Sequence, residues 1–518
     1  MPTERIPLVG AHNQRTIDAQ SQLEASTDQQ FMNCVFGVVR NPVTGKSTVY
    51  VEKRPGWGVK SLVEAGSLST GLIHSDALGT TISAFGTTNS TIYDGVTSVG
   101  AITGRALHFT ETIISGTAYI LIKSSDGTAW YYNSGGTATL ISDADFVTTG
   151  TTISSFETLD GYTFYVNADG FLYNSDLNSV TAYTSTSKIA VNMHPDTPLA
   201  IFKHNNLIGV QGIASTEFFY NAGNASGSPL ARAEQHFKNI GVQNQRSIAR
   251  LADDIYFASS SREGDVKIMR LRGFGLAKVS SPEVDRILGT ASALSSDVHL
   301  SAFNLGGYSY VAVVVFSVAS VGTDSLMLKE DDGQLLLETS DAIILEADTT
   351  ASSAITRILF YNIELNLWSE WDSSVMTYIR GAGSGSLNQI IATSRMDTSG
   401  KIYIINPSAD GDLYQDDGTS YDCIIRTSPL DMGTGRRKFV ESIRLVSDIQ
   451  NSGTVTLEKS DNDYASWQTL GTFDLTLNEP IIYRCGSYTG YRAYRLTHSA
   501  NAPFRAQALD ITYSVGLK

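Results

Sequence analysis

What most constrains this chain is a loose unit that recurs from about residue 70 to 420. An apolar strand is followed by a Gly or Asp/Asn turn, then a Tyr-rich strand and a second turn. The unit can be followed at Ile82–Asp94, His108–Asn133, Ser154–Asp176, Leu199–Asn221, Ser247–Gly273, Val298–Asp372 and Tyr378–Gly418. A propeller blade of four short strands needs about 40–50 residues, and a strand-turn unit at that spacing cannot bury its apolar faces alone. The pattern therefore predicts an all-β chain built round a β-propeller of six or seven blades. Tyr165-Val166-Asn167-Ala168-Asp169-Gly170-Phe171-Leu172-Tyr173 and Ile402–Asn406 followed by Gly411–Tyr414 read as matching hairpins from different blades. Leu359–Asn362 with Trp368–Trp371 reads as another blade's closing strands.

Composition agrees. Charged residues are 17% of the 518, below the roughly 25% of typical domains, and Ser, Thr, Gly and Asn fill the gap, as short strands joined by turns require. The apolar run Tyr310–Val321 is too short to span a bilayer and reads as a buried strand. No apolar core region marks a signal peptide in Met1–Gly10.

The sixth unit is interrupted between Val318 and Ser353. Three apolar triplets there each end in Glu: Leu326-Met327-Leu328 with Glu330, Leu335-Leu336-Leu337 with Glu338, and Ile343-Ile344-Leu345 with Glu346. Such triplets suit strands covered on both faces. An inserted hairpin lobe over 320–352 is expected, either as an intersubunit or channel element (Leu326, Leu328, Glu330, Leu336, Glu338, Ile344, Glu346) or folded on its own propeller. After about 430, short strands at regular spacing with no helical period predict a β-sandwich. The expected organisation is an N-terminal arm and first strand pair over 1–60, a propeller body over 61–428, and a C-terminal sandwich over 429–518.

One stretch reads as the passage from blade to blade. Thr216-Glu217-Phe218-Phe219-Tyr220 is a strand, Asn221–Gly227 is turn chemistry, and Ser228-Pro229-Leu230 and Gly241-Val242 lie on the connection. Asp253-Asp254 then separates Ile248/Leu251 from Ile255-Tyr256-Phe257 as a hairpin turn would. This ordered series resembles the packaged-DNA stabilisation proteins of short-tailed bacteriophages, which form the tail nozzle. So do an asparagine-bearing strand followed by Lys53-Arg54-Pro55-Gly56, and a C-terminal Ser460–Trp467 turn with the arginine-bearing strand Tyr491–Leu496. The family usually has Gly where Tyr464 stands. Thr216, Glu217, Phe218, Phe219, Tyr256, Phe257, Arg54, Pro55 and Gly56 carry the likeness. It implies a virion protein: a homo-oligomeric ring, most simply a hexamer, below the portal adaptor ring. The ring would meet tail fibre, spike or needle proteins, retain packaged double-stranded DNA and conduct it during ejection, with no membrane insertion and synthesis in the host cytoplasm. The alternative is a β-propeller adhesin or carbohydrate-binding tail protein.

No enzyme chemistry is expected, and no cofactor. Ser125–Trp130 and Ser460–Trp467 are imperfect Asp-box turns of the kind found in sialidases, which are turn devices rather than catalysts. The eight histidines lack zinc spacing, and no Gly-x-Ser-x-Gly elbow is present. Asp410, Asp412, Asp416 and Asp417 could hold Ca²⁺ but read as a solvated turn, since the closing Glu of an EF-hand is missing. Cys34, Cys423 and Cys485 form neither a metal pattern nor a disulfide framework. The net charge of −15 disfavours gripping phosphates and is compatible with letting DNA slide past.

Overall fold

The computed structural model describes residues 2–9, 29–40, 47–77, 80–149, 153–261, 266–293, 297–316, 356–372, 378–382, 389–394, 399–405 and 414–516. The expected lobe, with Leu326, Leu328, Glu330, Leu336, Glu338, Ile344 and Glu346, lies outside them.

Among the described residues the seven sequence units fall in seven different sheets, four of them four-stranded antiparallel meanders. Blade one is Ser69–Ala77, Thr80–Thr87, Thr91–Asp94 and Thr97–Ala101. Blade two spans Ala106–Ile114 to Thr139–Leu140, blade three Ile153–Leu159 to Tyr183–Ala190, and blade four Pro198–His204 to Leu230–Arg232. Blade five runs from Ile248–Leu251 to Gly275–Lys278, with Gly241–Val242 also pairing on Asp254–Ser260. Blade six contains Asp297–Leu305, Tyr308–Phe316, Thr356–Asn362 and Leu367–Trp371. The seventh has Tyr378–Ala382, Gln389–Thr393 and Lys401–Ile405. First strands of successive blades touch, except that blade four's meets the Gln245–Ser247 turn leading into blade five's, and that of the seventh touches that of the first, so the series closes into a ring.

Face-to-face stacking explains why the blade strands are apolar without alternation. In Tyr308–Phe316, Tyr310, Ala312, Val314 and Phe316 enter the core shared with blade seven. Val311, Val313 and Val315 enter the core shared with blade five. Side chains alternate between faces as in any strand, but here both faces are buried.

In blades one, two and three the turns between second and third strands repeat one geometry. Ser90, Gly127 and Gly170 each take positive φ and donate their N–H to the residue three back, at 3.0, 3.2 and 3.3 Å. In the Ser125–Trp130 box, Asp126 accepts from the Thr128 N–H at 3.0 Å and its hydroxyl at 2.7 Å, and the Trp130 indole donates to that hydroxyl. The box is a turn lock.

Three expectations need correction. The fourth strand of the seventh blade is not downstream: Trp57–Leu62 pairs antiparallel with Lys401–Ile405, from Ile405↔Trp57 to Lys401↔Leu62. Of the hairpin expected between Ile402–Asn406 and Gly411–Tyr414, residues 406–413 lie outside the described residues. The boundaries at 60 and 428 cut across sheets. One sandwich sheet is Cys34–Arg40, Ser47–Lys53, Arg505–Val515, Lys438–Ser447 and Ile481–Tyr483, with Thr3–Pro7 also on Arg505–Val515. The other contains Gln30–Met32, Cys423–Arg426, Ala493–His498, Thr454–Ser460 and Gln468–Asp474, and Met32 bridges in parallel to Glu370 of blade six. One core unites them, from Ile6, Phe31 and Phe36 to Leu457, Leu496 and Ile511. The 429–518 segment alone would leave that core without Ile6, Leu8, Phe31, Phe36, Val51 and Ile425. Lastly, the hairpin in blade five turns on Ala252-Asp253, Ala252 at φ 51°, because Leu251 pairs with Asp254.

Candidate functional site

The chain crosses between sandwich and propeller at Arg54-Pro55-Gly56, between strands Ser47–Lys53 and Trp57–Leu62, and returns through Gln415–Tyr421. At Gly56 an added Cβ would lie 2.0 Å from the Gln415 carbonyl oxygen, so only glycine lets the two crossings touch.

Arg54 fills the gap they leave, and its side chain has no solvent exposure. Nη1 donates to Asp416 Oδ1 at 2.8 Å and Nη2 to Oδ2 at 2.5 Å. Nε donates to Asn33 Oδ1 at 2.9 Å, and the remaining directions reach the Pro55 and Asp372 carbonyls at 3.2 and 3.3 Å. The guanidinium carbon lies 3.7 Å from the centroid of the Tyr421 ring and 5.2 Å from that of Trp371. The Tyr421 hydroxyl donates back to the Arg54 carbonyl. Burial disfavours the charged guanidinium, but hydrogen bonding to Asp416 and its charge outweigh that and raise the Arg54 pKa. A planar fork is what bidentate recognition and ring stacking require together.

Asn33 is the second half of the clamp. It sits at φ 56° between Gln30–Met32 and Cys34–Arg40. Its N–H donates to the Glu370 carbonyl at 2.7 Å, and its side-chain amide to the Asp422 carbonyl at 2.8 Å. Its Oδ1 also accepts from the Asp372 N–H at 2.9 Å. Asn is among the residues that enter the left-handed region most readily. Next door, buried Lys53 donates to the Ala500 carbonyl at 2.8 Å, and burial pushes its pKa down to about 8. Four segments, around residues 33, 54, 371 and 416–422, therefore meet on one guanidinium and one amide.

The Thr216–Phe257 stretch occupies blades four and five and serves their packing. Phe218 and Phe257 enter the core between those blades. Phe219 faces blade three, and Tyr256 faces blade six. Thr216 ties down the connection, donating its hydroxyl to the Ile240 carbonyl at 2.6 Å and exchanging backbone bonds with Lys238. Gly241 continues it, where an added Cβ would lie 2.2 Å from the Gly212 carbonyl oxygen. Glu217 is buried and accepts from the Met193 N–H at 2.8 Å, holding the link from blade three. Arg232 lies 3.0 Å from its other oxygen, too poorly aligned for a hydrogen bond, so that attraction is coulombic. Burial raises the Glu217 pKa against those favourable contacts.

The sequence pattern names Arg54, Pro55 and Gly56 but not their partners. Asp416, expected in a solvated turn, holds Arg54, and Asp417 pairs with Lys401 at 2.5 Å; Asp410 and Asp412 lie outside the described residues. Among the described residues no three His, Cys, Asp or Glu side chains converge to hold a metal, and no helix is long and apolar enough to cross a membrane. The second box-like turn is structural too: Tyr464 stands at φ 68°, a conformation that favours glycine, and its ring covers Arg426 at 4.5 Å. A cavity of about 280 Å³ beside it is lined by Ser460, Asp461, Asn462, Thr489 and Tyr491. Asp461 there is bound by Arg492 at 2.6 and 2.8 Å.

Comparison with known proteins follows this geometry. The family model described as Phage_stabilise, bacteriophage P22 Gp10, beta-propeller, matches residues 46–313. It thus covers just over half of the chain, from the Arg54 crossing into blade six. No curated protein sequence matches the chain. Among solved structures, the computationally designed Ika8 protein is 14% identical with a TM-score of 0.36, covering 67% of this chain and 99% of its own. BBS1N in complex with ARL6DN, from crystals soaked with lead or mercury, is 12% identical with a TM-score of 0.39, covering 69% of this chain and 99% of its own.

Proposed function

Because this chain belongs to the phage stabilisation family of bacteriophage P22 Gp10, a family of structural phage tail proteins, we propose that it is a tail nozzle subunit of a short-tailed phage. Six copies form a ring below the portal adaptor ring, and fibre, spike or needle proteins meet its far end. The ring retains packaged double-stranded DNA and conducts it at ejection, and the protein resides in the virion. The family match over residues 46–313 carries the reading.

The physics of the subunit supports it. A part that holds back pressurised DNA must not flex between its domains, and the Arg54 clamp joins them through buried, charge-assisted bonds. The net charge of −15 suits a wall that repels phosphates and lets DNA slide. The adhesin alternative calls for clustered aromatics on one propeller face. Among the described residues the strongly exposed aromatics are Tyr220, Phe439, Tyr483 and Tyr491, and only Tyr220 is on the propeller.

The test is the solution mass of the purified protein, then negative-stain imaging with and without particles that lack tails. A ring, or a monomer that becomes a six-fold ring on the tail stub, is expected. A stable monomer that ignores the stub and binds cell-surface glycans overturns the reading.

A further inference from the structure

The sequence places Cys34 and Cys423 at opposite ends of the chain, yet the fold brings them together. Met32 pairs with Ile424 in the second sandwich sheet; past Asn33 the chain enters the first sheet at Cys34, so the two cysteines belong to different sheets and meet in the core between them. Their sulfurs are 3.4 Å apart, and both side chains are fully buried in the sandwich core. Cys34 also donates to the Met32 carbonyl at 3.2 Å. Neither is in a disulfide, nor is Cys485. A disulfide needs sulfurs about 2.05 Å apart, a shift within reach of small rotations at two side chains.

We propose that Cys34 and Cys423 are a covalent modification site at which a small-molecule disulfide oxidises the pair and ties together the two sandwich sheets at positions that bracket the propeller in sequence. The bond would join positions 389 residues apart, enclosing the whole propeller in one covalent loop beside the Arg54 clamp. The inference does not depend on the nozzle reading. The chemistry balances by two exchanges. The thiolate of one cysteine attacks a sulfur of the reagent, breaks its S–S bond and expels one reagent thiolate. The thiolate of the other then attacks the protein-bound sulfur of this mixed disulfide, closes Cys34–Cys423 and expels the second. Two electrons pass to the reagent, whose two thiolates take up the two protons.

Burial sets the kinetics. It raises the Cys34 pKa well above the ordinary thiol value, and the neighbouring Cys423 adds to this; Arg54 and Lys53 oppose it. Since the thiolate is the attacking species, reaction from the closed state is slow, and opening of the sandwich seam limits it. The same burial shields the finished bond from reductant.

The test is to incubate the full chain with oxidised glutathione, with and without urea below the unfolding midpoint. Remaining thiols are then alkylated under denaturing conditions, and peptides are mapped by mass. The expected product is lighter by two hydrogens, with a Cys34–Cys423 cross-linked peptide and alkylated Cys485. It forms at least tenfold faster in urea and melts at a higher temperature than the reduced protein. Cys34→Ser and Cys423→Ser should each abolish the cross-link. Glutathione retained on a single cysteine, a cross-link to Cys485, or three alkylated cysteines after exposure in urea would each overturn the proposal.

Discussion

Blades one to five and the seam between blade seven and the sandwich use the same kind of strand yet are held together differently. Each of the five blades is continuous in sequence, its strands joined by short turns and its faces covered by the next blade. The seam is assembled from pieces at both ends of the chain, through Trp57–Leu62, Asn33, Arg54, Asp416 and Tyr421. Where neighbours in space are neighbours in sequence, apolar burial and turn residues suffice. Where they are hundreds of residues apart, the fold adds a directional charge-assisted network, whose geometry admits one arrangement.

The largest effect should come from breaking that network. Arg54→Ala leaves Asp416 and Asn33 buried without their partner, and removing one member of a buried ion pair costs about 3–5 kcal/mol. Urea unfolding should show that loss. Equal loss from Arg54→Ala in an Asp416→Ala background would mean the pair is not coupled.

A second contrast is pH dependence. His498 is fully buried beside the seam, and among the described residues neither ring nitrogen has a partner. Burial first, then the nearby Lys53 charge, lowers its pKa to about 4, with Asp422 opposing. The folded state stays neutral where the unfolded chain, titrating near 6.5, takes a proton. His498 therefore costs nothing above about pH 6.5, and stability falls as pH drops from there towards 4, by on the order of 2–3 kcal/mol. His498→Leu should flatten that part of the stability profile; an unchanged slope would assign the loss to other groups.

The smallest effect belongs to the blades. Asp126→Ala removes the Thr128 bonds of one exposed turn and should cost about 0.5–1.5 kcal/mol. A loss as large as that of Arg54→Ala would erase the distinction between the two regions.

The same division explains what could be read from sequence. Blade units are legible because their strands, turns and Tyr-rich runs are local, and even the described strands of the irregular sixth unit share one sheet. Trp57–Leu62 is silent because nothing near it in sequence says that its partner is Lys401–Ile405. Arg54 stands out by pattern, but its acid partner is 362 residues away, and Asp416 in isolation looks like any turn aspartate. Phe218 and Phe219 are legible as a strand; that they face different blades becomes visible only once the sheets are stacked. Cys34 and Cys423 look unrelated for the same reason.

The ring-closing strand also has a mechanical consequence. Trp57 faces Ile405 at one end of their pairing and bridges in parallel to Asp416 on its other side, so the two chain crossings meet at that end of the seventh blade. Pulled apart there, the two strands would peel open one hydrogen bond at a time, as a zipper does. The Arg54–Asp416 clamp binds the crossings just beyond that point, so tension from the sandwich reaches both strands together and draws on the ring as a whole hoop.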